Sequence, residues 1–209
     1  LGPTPKKYTH GGHHAVDPET TFKRIEPLAK VAGITRTADI TDLDRIGIPV
    51  FSSIRPSAES GAISVYNGKG LTKDEAKVSS IMEGIERYCA EQGGMPVVRA
   101  GVEEFTAANN AVHPMDLILP QGSAYTLSRY QVGWVKGTEL NSMSEMWIPA
   151  SAVFHPYSSK LDMMLFRTST NGLASGNTLE EAVLHGLLEV VERDSWSFTE
   201  YYRRVNGDI

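Results

Sequence analysis

Two stretches, Thr72–Arg87 (TKDEAKVSSIMEGIER) and Thr178–Arg193 (TLEEAVLHGLLEVVER), decide how this chain is read. Shifted by 106 positions, Gly70 falls on Gly176, Thr72 on Thr178, Glu75 on Glu181, Ala76 on Ala182, Glu83 on Glu189, Glu86 on Glu192 and Arg87 on Arg193. Seven identities at one offset point to an internal repeat. Each copy starts with Thr-x-x-Glu, a capping box in which the threonine caps the helix and the glutamate reaches back to it. On a helical wheel, Ser79, Glu83, Glu86 and Arg87 share one face of the first helix, opposite Val78, Ile81, Met82, Ile85 and Cys89. The second helix sets His185, Glu189, Glu192 and Arg193 against Leu184, Leu187, Leu188 and Val191, with Val183 and Val190 on its flanks. A helix apolar nearly all round is expected to be buried, and buried carboxylates are costly unless paired or bound to a cation.

Carboxylates at i and i+3 reach one hard cation or two adjacent ones, and magnesium favours few protein carboxylates with water and phosphate oxygens completing its shell. Glu83, Glu86, Glu189 and Glu192 are therefore candidate metal ligands, with Arg87 and Arg193 forked toward phosphate oxygens. The rival structural reading pairs the same glutamates with the same arginines as ion pairs. A glycine loop precedes each helix, Asn67–Gly70 and Ser169–Asn177, where backbone N–H groups and the helix dipole favour anions. Gly-x-x-x-x-Gly-Lys-Ser/Thr occurs nowhere, which excludes a Walker A loop.

The rest of the chain frames these helices. Its 209 residues, 41% apolar and 22% charged, suffice for one globular core, and a net charge of −5 argues against a general nucleic-acid binder. No apolar run is long enough to span a membrane and no secretory signal pattern opens the chain, so it reads as cytoplasmic. Residues 17–34 have helical spacing, with Asp17 or Thr20 as N-cap. Residues 47–53 and 62–66 read as strands around an Arg55-Pro56 turn, and strand-like runs recur at 96–98, 131–136 and 147–149. Cys89, the single cysteine, reads as a buried packing residue. His10, His13 and His14 read as solvated loop residues, and His185 as a neighbour of the carboxylates or an interior histidine. The aromatic run Trp196, Phe198, Tyr201 and Tyr202 reads as core or as a contact in a homodimer.

Together the motifs Asn67-Gly68-Lys69-Gly70 with Ser79-x-x-x-Glu83-x-x-Glu86-Arg87, and Asn171-Gly172-x-Ala174-x-Gly176-Asn177-Thr178 with Glu181-Ala182 and Glu189-x-x-Glu192-Arg193, resemble the YcaO family. The resemblance extends to Gly33-Ile34-Thr35, Gly47–Val50 and Arg55-Pro56. It implies a mixed α/β (α+β) ATP-binding fold with two pseudo-symmetric strand, glycine loop and helix units, the ATP site lying between their carboxylate faces. It implies ATP and Mg2+ as cofactors, Glu83, Glu86, Glu189 and Glu192 as metal ligands, and Lys7, Ser79, Arg87, Ala174, Asn177, Glu181 and Arg193 as nucleotide contacts. No catalytic residue is separated from that site. Family domains are nearly twice this long, so residues 1–209 are expected to be the N-terminal portion of one.

The wording of residues 48–91 looks most like methanogen members, which implies O-phosphorylation of a peptide or protein backbone amide for thioamidation of a glycine in methyl-coenzyme M reductase. A TfuA-type partner supplying sulfide belongs to the same expectation. Azoline-forming cyclodehydration and a non-catalytic nucleotide-binding scaffold are the competing readings.

Overall fold

The computed structural model describes residues 1–9, 12–120 and 130–206. The chain divides into two compact units, one made of Leu1–Ala58, Ile63–Tyr88 and Thr170–Ile209, the other of Glu59–Ala62 and Cys89–Ser169.

In the first unit, β1 (Lys7–Thr9) pairs antiparallel with β2 (Gly12–His14), and α1 (Pro18–Val31) follows. Asp17 is the N-cap, accepting from the Thr20 amide at 2.8 Å, and Pro18 sits where a missing N–H costs nothing. An antiparallel sheet of order β3 (Arg36–Asp39), β4 (Val50–Ile54), β5 (Val65–Lys69) comes next, then α2 (Lys73–Ala90). Ile25 and Ala29 of α1 bury against Ile81 of α2, with Phe22, Ile34, Val78, Met82 and Ile85 around them. Each fully buried isoleucine is worth about 1.5–3 kcal/mol.

The α2 helix lies directly on β5, because a Cβ at Gly68 would sit 2.1 Å from the Ser80 amide nitrogen. Glycine is required there, and the expected loop Asn67–Gly70 is strand through Lys69 for that reason. Ser53 and Ser80, both fully buried, bond to each other at 2.9 Å across the same contact.

In the second unit, β6 (Val98–Gly101), β7 (Gln131–Thr138) and β8 (Glu145–Pro149) form an antiparallel sheet in that order, and α3 (Val102–Ala108) follows β6. Trp134, Val102, Val132 and Leu165 make its core, with Phe105 stacked on Trp134 at 4.8 Å between centroids. The buried Asp162 carboxylate accepts from Tyr157 Oη at 2.6 Å, from Arg99 Nε at 3.1 Å and from Ser159 Oγ. Burial, then the hydrogen bond to Asp162, pushes the Tyr157 hydroxyl up.

The chain closes the first unit with α4 (Leu179–Asn206). The expected mixed α/β class is observed, with antiparallel sheets. Residues 158–178 form no strand, so irregular chain precedes α4 where β5 precedes α2.

Two burial expectations are corrected. Cys89 is exposed, since it lies one turn beyond Ile85, the last α2 residue packed on α1. The apolar face of α4 is also exposed, Leu187 at 57%, Val191 at 62% and Trp196 at 66%. What α4 buries is Glu181 and Gly186, the latter admitting the Gly172 carbonyl. Among the described residues no helix is long and apolar enough to cross a membrane.

Candidate nucleotide and metal site

Two hydrogen bonds of the repeat recur at both helix starts. Glu75 N–H donates to Thr72 Oγ1 at 3.2 Å, and Glu181 N–H to Thr178 Oγ1 at 3.3 Å. In return Glu75 Oε2 accepts from the Leu71 amide at 2.8 Å, and Glu181 Oε2 from the equivalent Asn177 amide at 2.8 Å. The glycines match as well. A Cβ at Gly70 would lie 2.4 Å from Glu75 Cβ, and one at Gly176 would lie 2.6 Å from Glu181 Cβ. The capping glutamate thus folds over a glycine in each copy, and only glycine leaves room for it.

Both helices open onto one cavity of about 430 Å³ in the first unit. Ser79, Glu83 and Glu86 line it from α2, His185 and Glu189 from α4, and Ser175 through Asn177 from the second loop. Gly12, His14 and Thr21 close another side, and Lys69 and Gly70 the end of β5. Burial pushes the Glu86 carboxyl above its ordinary value, against the opposing pull of the Ser175 hydroxyl, Arg87 and His185.

Of the residues expected in the site, Ser79, Asn177, Glu83, Glu86 and Glu189 meet at this cavity. Ala174 is half-buried, packed 3.5 Å from the position a Gly186 Cβ would take. Glu192 is exposed and is not part of the lining. Arg87 and Arg193 pair with their own helices' glutamates, Arg87 with Glu83 at 3.6 Å and Arg193 with Glu189 at 3.1 Å. Such i,i+4 pairs are worth about 0.3–0.5 kcal/mol, too little to hold the arginines against a phosphate ligand.

Glu181 and the lysines differ most from expectation. The Glu181 carboxylate is buried and spoken for: Lys6 Nζ donates to Oε1 at 3.0 Å, the Ala15 amide to Oε1 at 2.6 Å, and the Asn177 amide to Oε2. Burial alone would raise it, but these donors hold it at about 2. Lys7 is exposed on β1, and its neighbour Lys6 makes the contact. The resemblance carries over Lys7 alone, whereas the lysine that reaches Glu181 is Lys6. Among the histidines, His14 lines the cavity and lies 3.7 Å from Glu181. His10 is outside the described residues.

Three contacts that order the site carry no signal in the sequence. Thr21 Oγ1 of α1 donates to Asn177 Oδ1 at 2.9 Å, Ser175 Oγ donates to Glu86 Oε2 at 3.2 Å, and the Gly172 amide donates to Glu189 Oε2 at 3.2 Å.

Among the described residues no group of three or more His, Cys, Asp or Glu side chains converges to hold a metal ion by itself. The donor set nevertheless fits magnesium, which takes one or two carboxylates and draws its remaining ligands from water and phosphate. Glu83, Glu86 and Glu189 present only oxygen to the cavity, and the partly buried Glu86 carboxylate gains from a cation that offsets its desolvation.

Glutamates from two duplicated helices line one cavity, with glycines under the capping boxes and no Walker A loop in the sequence. The chain belongs to the YcaO family: the family model described as YcaO cyclodehydratase, ATP- and Mg2+-binding, matches residues 67–208. An uncharacterized protein of Methanothermobacter thermautotrophicus is 48% identical over 193 residues, 90% of this chain and 48% of its own length. A Rhizobium leguminosarum bv. trifolii protein, described as lying in the tfuA 3' region, is 37% identical over 89% of this chain and 43% of its own length. The chain thus spans about half the length of these curated relatives. Among solved structures, the YcaO of Methanopyrus kandleri, bound with AMPPCP and Mg2+, matches with a TM-score of 0.71 at 32% identity, over 96% of this chain and 49% of that one. A heterocyclase in complex with substrate and cofactor matches with a TM-score of 0.72 at 25% identity, over 90% of this chain and 28% of that one.

Proposed function

We propose that this chain carries the ATP- and Mg2+-binding core of an enzyme that O-phosphorylates a backbone amide of a peptide or protein, and that the product is a thioamide. The observation that carries the nucleotide reading is the sharing of one cavity by Glu83 and Glu86 of α2 and Glu189 of α4. The M. kandleri relative bound to AMPPCP and Mg2+ supports the same ligand pair.

In this reading Glu83, Glu86 and Glu189 hold Mg2+, while Ser79, Asn177 and the backbone around Gly70 and Gly176 face the nucleotide. Glu192 and the two arginines join when phosphate draws them in. ATP supplies the phosphoryl group that converts the amide oxygen into a leaving group, and bound Mg2+ offsets the charge on the transferred phosphoryl. The carboxylates of α2 and α4 fix where that charge resides, and the capping boxes fix the helices.

Thioamidation, with a glycine of methyl-coenzyme M reductase as target and a TfuA-type protein supplying sulfide, is supported by the methanogen relative and by the relative in a tfuA region. Azoline formation is the second reading, supported by the likeness to the heterocyclase and by the family's cyclodehydratase description. The whole protein, given ATP, Mg2+, sulfide and a glycine-containing peptide, is expected to exchange oxygen for sulfur, read as a mass gain. Loss of one water from a cysteine- or serine-containing peptide would instead establish the azoline reading. ATP binding with neither product would mark a nucleotide-binding scaffold.

A further inference from the structure

The second glycine loop is tied to three helices at once. Ser175 Oγ donates to Glu86 of α2 at 3.2 Å, and the Ser175 carbonyl lies 3.4 Å from His185 Nδ1 of α4. Three residues earlier the Gly172 amide donates to Glu189 of α4 at 3.2 Å. On the other side Asn177 accepts from Thr21 of α1. Glycines press the loop into place: a Cβ at Gly186 would be 2.7 Å from the Gly172 carbonyl oxygen, and one at Gly176 would be 2.6 Å from the Ala182 amide nitrogen. Gly172 itself has φ +80°, which favours glycine.

We infer that this loop is a positioning clamp for the carboxylates of the cavity, in which Ser175 holds Glu86 and the Gly172 amide holds Glu189. Two acids from different helices are thereby spaced by one short segment, whose ends can be at most about 11 Å apart. The inference rests on the ATP–Mg2+ reading above and adds residues outside the expected ligand set. Neither Ser175 nor Gly172 is assigned to the cation; each acts through the carboxylate it holds. A carboxylate fixed before the ligand arrives loses less rotamer freedom on binding, which is the physical advantage of such a clamp.

The test is a calorimetric titration of the whole protein with a non-hydrolysable ATP analogue at several Mg2+ concentrations, using Ser175→Ala, Ser175→Thr, Glu86→Gln and the Ser175→Ala/Glu86→Gln pair, with thermal unfolding of each. Removing a hydroxyl bonded to a charged group is expected to weaken Mg2+-dependent binding about tenfold. Threonine, which keeps the hydroxyl, is expected to restore most of it. In the Glu86→Gln background Ser175→Ala is expected to add less than about a twofold loss, because the two act as one unit. Gly186→Ala, which displaces the Gly172 carbonyl, provides an independent loosening of Glu189 and is expected to weaken binding comparably. Full binding by Ser175→Ala, or losses that multiply in the double variant, would overturn the clamp and leave the ATP–Mg2+ reading standing. No Mg2+-dependent binding by the parent protein would overturn both.

Discussion

Replacing Glu181 by glutamine removes the charge from a carboxylate only 5% exposed, which receives Lys6 and the amides of Ala15 and Asn177. Burial opposes its ionisation, yet the donors hold it at about 2 against an ordinary 4.5. At about 1.4 kcal/mol per pH unit that difference amounts to about 3 kcal/mol of stability at neutral pH. Glutamine retains one acceptor but meets Lys6 with no charge, so we expect a loss of about 2–3 kcal/mol, or roughly 5–10 °C in Tm for a chain of this size. The stabilisation is fully present above the unfolded value of 4.5 and is lost as pH falls from there toward about 2. Urea unfolding of both proteins from neutral pH to about pH 3 reads it directly. The gap in unfolding free energy should be constant down to about pH 5 and then close. No gap at neutral pH, or a gap unchanged at about pH 3, would refute the reasoning, because either outcome means that Lys6 and the two amides do not bind an ionised Glu181.

Other expectations follow from the same contacts. Gly70→Ala and Gly176→Ala each drive a methyl into backbone or Cβ atoms of the capping turn at 2.4–2.8 Å, so each is expected to cost about 1–3 kcal/mol by thermal unfolding. Asp162→Ala leaves the buried Tyr157 hydroxyl without its acceptor, while the exposed Arg99 turns to solvent, and is expected to cost about 1–3 kcal/mol, measurable by urea unfolding. Because burial pushes Glu86 up, Mg2+-dependent nucleotide binding should decline on acidification sooner than an ordinary glutamate requires, and calorimetry of Glu86→Gln should show a flatter pH profile. Exposed Cys89 should react with a thiol reagent in the folded protein without denaturant.

The parts legible in sequence were those that repeat or that obey a local rule. The 106-residue offset located both capping boxes, and of the two N-cap candidates Asp17 and Thr20 the structure uses Asp17. The seven residues of α3 are too few to show helical periodicity, and they were not foreseen. Asn67–Lys69 read as a loop because glycine is ordinarily a breaker, whereas Gly68 is there to admit the backbone of α2. The apolar circumference of α4 argued for burial, and the structure buries only Glu181 and Gly186 of it. The capping box accounts for the Glu181 bond to the Asn177 amide at the start of the second helix, and the resemblance implies Glu181 as a nucleotide contact. Its partners Lys6 and Ala15 lie more than 160 residues away, and no local pattern announces a pairing at that separation.

The central claim is that the duplicated helices bring their glutamates to a single nucleotide and its magnesium. A crystal structure of the whole protein with a non-hydrolysable ATP analogue and Mg2+ tests it most directly. The phosphate chain is expected in the cavity, with Glu83 and Glu86 on one side, Glu189 on the other, and Arg87 and Arg193 turned from their glutamates toward phosphate oxygens. A nucleotide bound elsewhere, or carboxylates still paired only with Arg87 and Arg193, would contradict the account.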